Sequence, residues 1–204
     1  MFTSGFTNEE YCTEKIEQLR TSGSTAVTYK LRIDGKFYFM KRLRPELQDD
    51  TRYRDAFFKE FETGKTVDSP YIVKYVDIKE DCDGLYILTE YINGCTLSEK
   101  LEKDPEYFSR KANIGKFIQQ LCKALEALHS KNIVHLDISP DNILISQTSN
   151  DIKLIDLGFC LSDYNDSTPG STKGFTAPEA TIGNKKEIDA RSDIYSIGCI
   201  EFIE

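Results

Sequence analysis

The segment His135-Leu136-Asp137-Ile138-Ser139-Pro140-Asp141-Asn142 sets a carboxylate and a carboxamide on one short polar loop, and Asp156-Leu157-Gly158 brings a second carboxylate 14 residues after Asn142. Asn142 and Asp156 are hard oxygen donors of the kind that suits Mg2+. Asp137 is a carboxylate able to orient a hydroxyl and take its proton. Far upstream, Phe39-Met40-Lys41 places an ammonium group on a β-rich run, where it needs an anion to hold it; far downstream stands Ala177-Pro178-Glu179. Singly these residues are bland, since Asp and Asn are common in turns and a strand lysine is ordinarily solvated. Their weight comes from occurring together, in this order.

Residues 26–43 read as a hairpin, two β-rich runs flanking the strong turn dipeptide Asp34-Gly35. Residues 52–67 read as a helix with Phe57, Phe61 and Val67 near one face, ended by Asp68-Ser69-Pro70. Strands are expected around 71–79 and 84–91, and Asn93-Gly94 marks a linker. Beyond it, residues 112–130 follow the 3.6-residue period through Ile114, Phe117, Ile118, Leu121, Cys122, Leu125 and Leu128. Short β-like pieces follow at 143–145 and 152–155, then a polar Ser/Thr-rich loop over 162–173 and a helix from Asp193 to the end. These readings place a small sheet with one long helix before residue 92 and a mainly helical part after it.

Composition narrows the function classes. The 204 residues carry 26 Lys plus Arg against 34 Asp plus Glu, a net charge of −8, with 39% apolar and 29% charged residues. That balance fits a soluble globular chain and argues against a general nucleic-acid binder, which needs clustered cations. No apolar run is long enough to cross a bilayer, and the N-terminus lacks the pattern of a secretory signal. The six cysteines, Cys12, Cys82, Cys95, Cys122, Cys160 and Cys199, are scattered singly without a C-x-x-C pair. Free thiols in a reducing cytoplasm are expected.

Taken together, H-x-D-x-x-x-x-N, Asp156-Leu157-Gly158, Ala177-Pro178-Glu179 and the strand lysine resemble the protein kinase family from about residue 15 to the end. The resemblance implies an α+β, two-lobe fold: an N-lobe over 1–92, with a small antiparallel sheet and one helix, and part of a C-lobe over 93–204, mainly helical and lacking its last helices. It implies transfer of the γ-phosphoryl group of ATP, with Mg2+, to Ser or Thr hydroxyls of a protein substrate. Asp137 would be the catalytic base, and Asn142 and Asp156 the metal ligands. Lys41 would contact phosphate and be held by Glu60. Glu62 is the rival anion, and the two lie about 200° apart around a helix, so both cannot face Lys41. Gly23, Ser24 and Val27 would cover the nucleotide, with Val27 placed within about one position. Phe39, Thr89, Glu90, Ile92 and Leu144 would surround the adenine, Glu90 and Ile92 through backbone groups. Thr172 matches the loop threonine that contacts the catalytic aspartate.

Departures from the family pattern suggest an alternative, a pseudokinase acting as a binding or scaffolding module. Leu136 replaces the arginine that pairs with a phosphorylated loop, so the resemblance implies that loop phosphorylation is not the on-switch. Ser139 replaces a catalytic-loop lysine, while Pro140 argues against the tyrosine-kinase variant of the loop. Gly23 is the single glycine of a degraded phosphate loop. Phe39 stands where alanine is usual and should share a face with Lys41. Gly64, four residues after Glu60, leaves a void or allows a tighter approach. Glu179 lacks its family arginine, and the chain is expected to be a piece of a longer protein. A small-molecule kinase is a third reading, disfavoured by Ala177-Pro178-Glu179. The Ile138–Asn142 loop resembles bacterial versions of the family.

Overall fold

Asp34 and Gly35 have φ of 49° and 79°, the two positive values that a two-residue hairpin turn requires and that Asp-Gly supplies with little strain. The computed structural model describes residues 13–19, 25–160, 174–182 and 187–201. In it this turn joins β2 (Ala26–Ile33) to β3 (Lys36–Leu43). With β1 (Thr13–Leu19), β4 (Tyr75–Asp81) and β5 (Gly84–Glu90) they form an antiparallel sheet of order β1-β2-β3-β5-β4. Register decides which side chains face the site. Lys41 lies opposite Thr28 and Ile87, and Phe39 opposite Lys30 and Thr89, so all six share one face.

Helix α1 (Thr51–Thr66) packs against that face. The Asp50 carboxylate accepts from the Arg52 N–H at 3.0 Å and starts the helix. Phe57, Glu60, Phe61, Thr63 and Gly64 form its buried side. Its bounds lie one residue from those expected, and Val67 ends it in extended conformation.

The second half is mainly helical. Helix α2 (Leu97–Lys103) begins with a capping box: Glu99 N–H donates to Thr96 Oγ1, and the Thr96 N–H donates to the Glu99 carboxylate. Helix α3 (Lys111–His129) buries Phe117, Leu121, Leu125 and Leu128 of the expected apolar stripe, whereas Cys122, expected on the same stripe, is exposed. Truncating Leu121, which is fully buried, to alanine costs about 2–5 kcal/mol. A small sheet of order β6-β7-β8 is built from β6 (Gly94–Thr96), β7 (Ile143–Ser146) and β8 (Ile152–Leu154). Helices α4 (Pro178–Ile182) and α5 (Ala190–Glu201) complete the described part.

The strand expected from residue 71 starts at Tyr75. Tyr71–Val73 bond to β8 instead: Leu154 N–H donates to Tyr71 O at 2.8 Å and Val73 N–H to Leu154 O at 2.9 Å. This segment stitches the sheet-rich half to the helical half. One contiguous core accordingly runs from Phe57 and Phe61 through Ile72, Leu154 and Leu157 to Leu121 and Leu125.

Candidate active site

Lys41 sits between two carboxylates. Its Nζ lies 3.0 and 2.9 Å from the Glu60 oxygens and 2.9 Å from Asp156 Oδ1. β3 aims it at α1, and the helical turn places Glu60 inward (5% exposed) and Glu62 on the exposed side. Of the two rival anions, the structure therefore brings Glu60 to the lysine. Burial alone would push the ammonium down. Asp156 and Glu60, by charge and hydrogen bond, outweigh it and hold Lys41 above its ordinary value. Burial likewise raises the Glu60 carboxyl, against the opposing pull of Lys41. For Asp156 the pull of Lys41 wins over burial, and its pKa falls below the usual range.

Asp137 and Asn142 meet on the loop between α3 and β7. The Asn142 amide donates to the Asp137 carboxylate at 2.7 Å and to the Asp137 carbonyl at 2.8 Å. Both its hydrogens are thus spent on Asp137, and its Oδ1 has no hydrogen bond among the described residues. The loop hangs from Asp193, which is fully buried on α5. The Asp193 carboxylate accepts from the N–H groups of His135 and Leu136, both at 2.9 Å, and lies 2.7 Å from His129 Nε2. Leu136 holds φ of 64° and Asp156 of 61°, left-handed values that cost a residue with a side chain about 1–3 kcal/mol each and concentrate at functional sites. The Asn142 carbonyl accepts from the Ile155 N–H at 2.9 Å, tying this loop to the Asp156 loop. There, Asp156 Oδ1 takes Lys41 and the Gly158 N–H (3.1 Å), which leaves Oδ2 unspent among the described residues.

Phe39 is half-buried on the Lys41 face, directly across from Thr89, which is itself buried. Leu144 is half-buried on the face of β7 opposite the core residues Ile143 and Ile145. The Glu90 carboxylate accepts from Lys74 N–H at 2.9 Å and Lys153 Nζ at 2.6 Å, pinning the chain just before Ile92 to β8. Val27 is a correction. It pairs with Arg42 and so faces away from Lys41; the residue on the site face is Thr28, one position on. A shift of one residue exchanges the faces of a strand. Thr28 Oγ1 is buried without a hydrogen-bond partner among the described residues. Gly23, Ser24 and Thr172 lie outside the described residues.

Two departures acquire partners. Leu136 is buried in an apolar cluster with Val134, Ala180 and Ile188. Glu179 accepts a 2.6 Å hydrogen bond from the Ser192 hydroxyl. The sequence alone assigns Asp193 no role beyond opening the last expected helix. It also passed over Tyr75, whose hydroxyl lies 3.2 Å from both Glu60 Oε1 and the Leu157 nitrogen. Nothing in the local pattern around Tyr75 signals that contact.

Residues 15–203 match the family described as "protein kinase domain". Serine/threonine-protein kinase ULK3 of Xenopus laevis is 37% identical over 145 residues, covering 69% of this chain and 30% of that protein. Serine/threonine-protein kinase PknB of Mycolicibacterium smegmatis is 33% identical over 172 residues, 79% of this chain and 27% of the relative. Serine/threonine-protein kinase PrkC of Bacillus subtilis is 32% identical over 170 residues, 80% of this chain and 25% of the relative. The chain thus spans less than a third of the length of these relatives.

Proposed function

The chain belongs to the protein kinase domain family, and from that premise we propose that the protein it represents transfers the γ-phosphoryl group of ATP to Ser or Thr hydroxyls of proteins. The observation that carries the proposal is the assembled ionic centre: Lys41 held by Glu60 and Asp156, with Asp137 oriented by Asn142. Phosphoryl transfer asks a protein chiefly for positioning and for compensation of phosphate charge. Lys41 supplies a fixed cation on the site face of the sheet, and Glu60 keeps its stem from swinging away. Asp137 receives the acceptor hydroxyl and takes its proton as the bond to phosphorus forms. Asn142 fixes the direction in which that carboxylate points.

Asn142 Oδ1 and Asp156 Oδ2, both unspent among the described residues, suit a hard cation. They would hold Mg2+, which would neutralise phosphate charge. The packing of Leu136 with Val134, Ala180 and Ile188 supports a catalytic loop held by apolar contact without a phosphate–arginine pair. The intact ionic centre also weighs against a nucleotide-blind scaffold. Thermal unfolding of the full-length protein tests the nucleotide reading. ATP with Mg2+ at about a hundred times its dissociation constant should stabilise by about 2.7 kcal/mol, and ATP with EDTA by much less. No shift with either would sink the nucleotide reading.

A further inference from the structure

Gly64 lies on the buried side of α1, one turn beyond Glu60. A Cβ built there would stand 2.2–2.5 Å from three ring carbons of Tyr75, far inside contact distance. The void left by the missing side chain is therefore filled by a ring from another element. Tyr75 opens β4 opposite Thr89, on the site face, and is 3% exposed. Its ring meets Phe61 edge-on, with centroids 6.5 Å apart. Its hydroxyl lies 3.2 Å from Glu60 Oε1 and 3.2 Å from the nitrogen of Leu157. A phenol has one hydrogen to give and lone pairs to receive, so the two contacts have complementary senses: it donates to the Glu60 carboxylate and accepts from the Leu157 N–H.

We propose that Tyr75 is a positioning residue, a strut that ties helix α1 to the Asp156–Gly158 loop, with Gly64 as the recess that admits its ring. The assignment rests on reading Lys41, Glu60 and Asp156 as the phosphoryl-transfer centre. Glu60 fixes Lys41, and Leu157 adjoins Asp156, so one hydroxyl sets the lysine's anchor and the metal-loop backbone together. Outward movement of α1 breaks the Tyr75–Glu60 bond, and movement of the loop leaves the Leu157 N–H without its acceptor. Burial, with Glu60 and Asp156 nearby, raises the phenol well above its ordinary value, so it remains a donor at every physiological pH. An ordinary core tyrosine would contribute packing alone and would carry no such coupling.

Tyr75→Phe keeps the ring and removes the bridge, and Gly64→Ala fills the recess. Amide hydrogen exchange on the full-length protein reads the strut without reference to activity. In Tyr75→Phe, the Leu157 amide should exchange about tenfold faster, while α3 amides keep their wild-type rates. In Gly64→Ala the displaced ring should give at least the same local acceleration. In parallel, kcat of the folded Tyr75→Phe protein should fall about tenfold, a loss that packing alone would not produce. Wild-type exchange at Leu157 in either variant, or acceleration shared equally with α3, would overturn the strut. Should wild-type protein transfer no phosphate, the kinase reading fails on its own, and the exchange result still decides the role of Tyr75.

Discussion

Replacing Lys41 by methionine should destabilise the protein more than replacing Glu60 by glutamine, although each removes one member of the same ion pair. The reason is what each change leaves behind. In Glu60→Gln, Lys41 keeps Asp156 at 2.9 Å, and the amide oxygen can still accept from Tyr75. The loss is that of charge-assisted hydrogen bonds, about 1.5–3 kcal/mol. In Lys41→Met, Glu60 is left 5% exposed with no cation paired to it among the described residues, and Asp156 adds a like charge. A buried charge stripped of its partner costs about 3–5 kcal/mol. Urea unfolding of both variants at pH 7 reads the difference, which should be about 1–2 kcal/mol, with Lys41→Met the weaker protein. The difference should shrink as the pH falls and Glu60, already raised by burial, becomes neutral. Equal losses, or a larger loss in Glu60→Gln, would refute the placement of Lys41 as the cation that the two carboxylates share.

The turn between β7 and β8 supplies a pH test. Hydrogen bonds from Ser149, Gln120 and Lys116 hold the Asp151 carboxyl down at about 2. A depressed acid stabilises the fold above its unfolded value and loses that contribution as the pH falls through its folded one. Carboxyl titration by NMR should place Asp151 near 2, with the turn loosening between about pH 4 and 2; a midpoint near 3.8 would contradict the hydrogen bonds. Regulation gives another test: phosphatase treatment of the full-length protein should leave the proposed transfer activity within about twofold, since Leu136 offers no cation to a phosphate. A tenfold drop would show that a phosphate organises the loop by another route.

Much of the site was readable before the structure because its parts are local. Asp34-Gly35 announced the hairpin, the period over 112–130 announced α3, and the helical turn separated Glu60 from Glu62. What escaped depends on long-range contact or on single-residue register. Val27 and Thr28 differ by one position, and nothing in a strand's own sequence says which face meets the site until its partner is known. β1 pairs with β2 through an irregularity between Lys15 and Glu17, and the break hides the alternation that marks a strand. α2 is seven residues long, too short for a period, although Thr96-Leu-Ser-Glu99 carried its capping signal. Gly64 was visible as an anomaly. Its explanation lies eleven residues on, in Tyr75, on another element.

The central claim rests on Asp137. Transfer of labelled phosphate from γ-labelled ATP to the Ser and Thr residues of an acceptor protein, with Mg2+ and the full-length protein, tests it most directly. Wild-type protein should label the acceptor, and Asp137→Asn should do so at least about a hundredfold more slowly. Equal labelling by the two proteins would contradict the assignment.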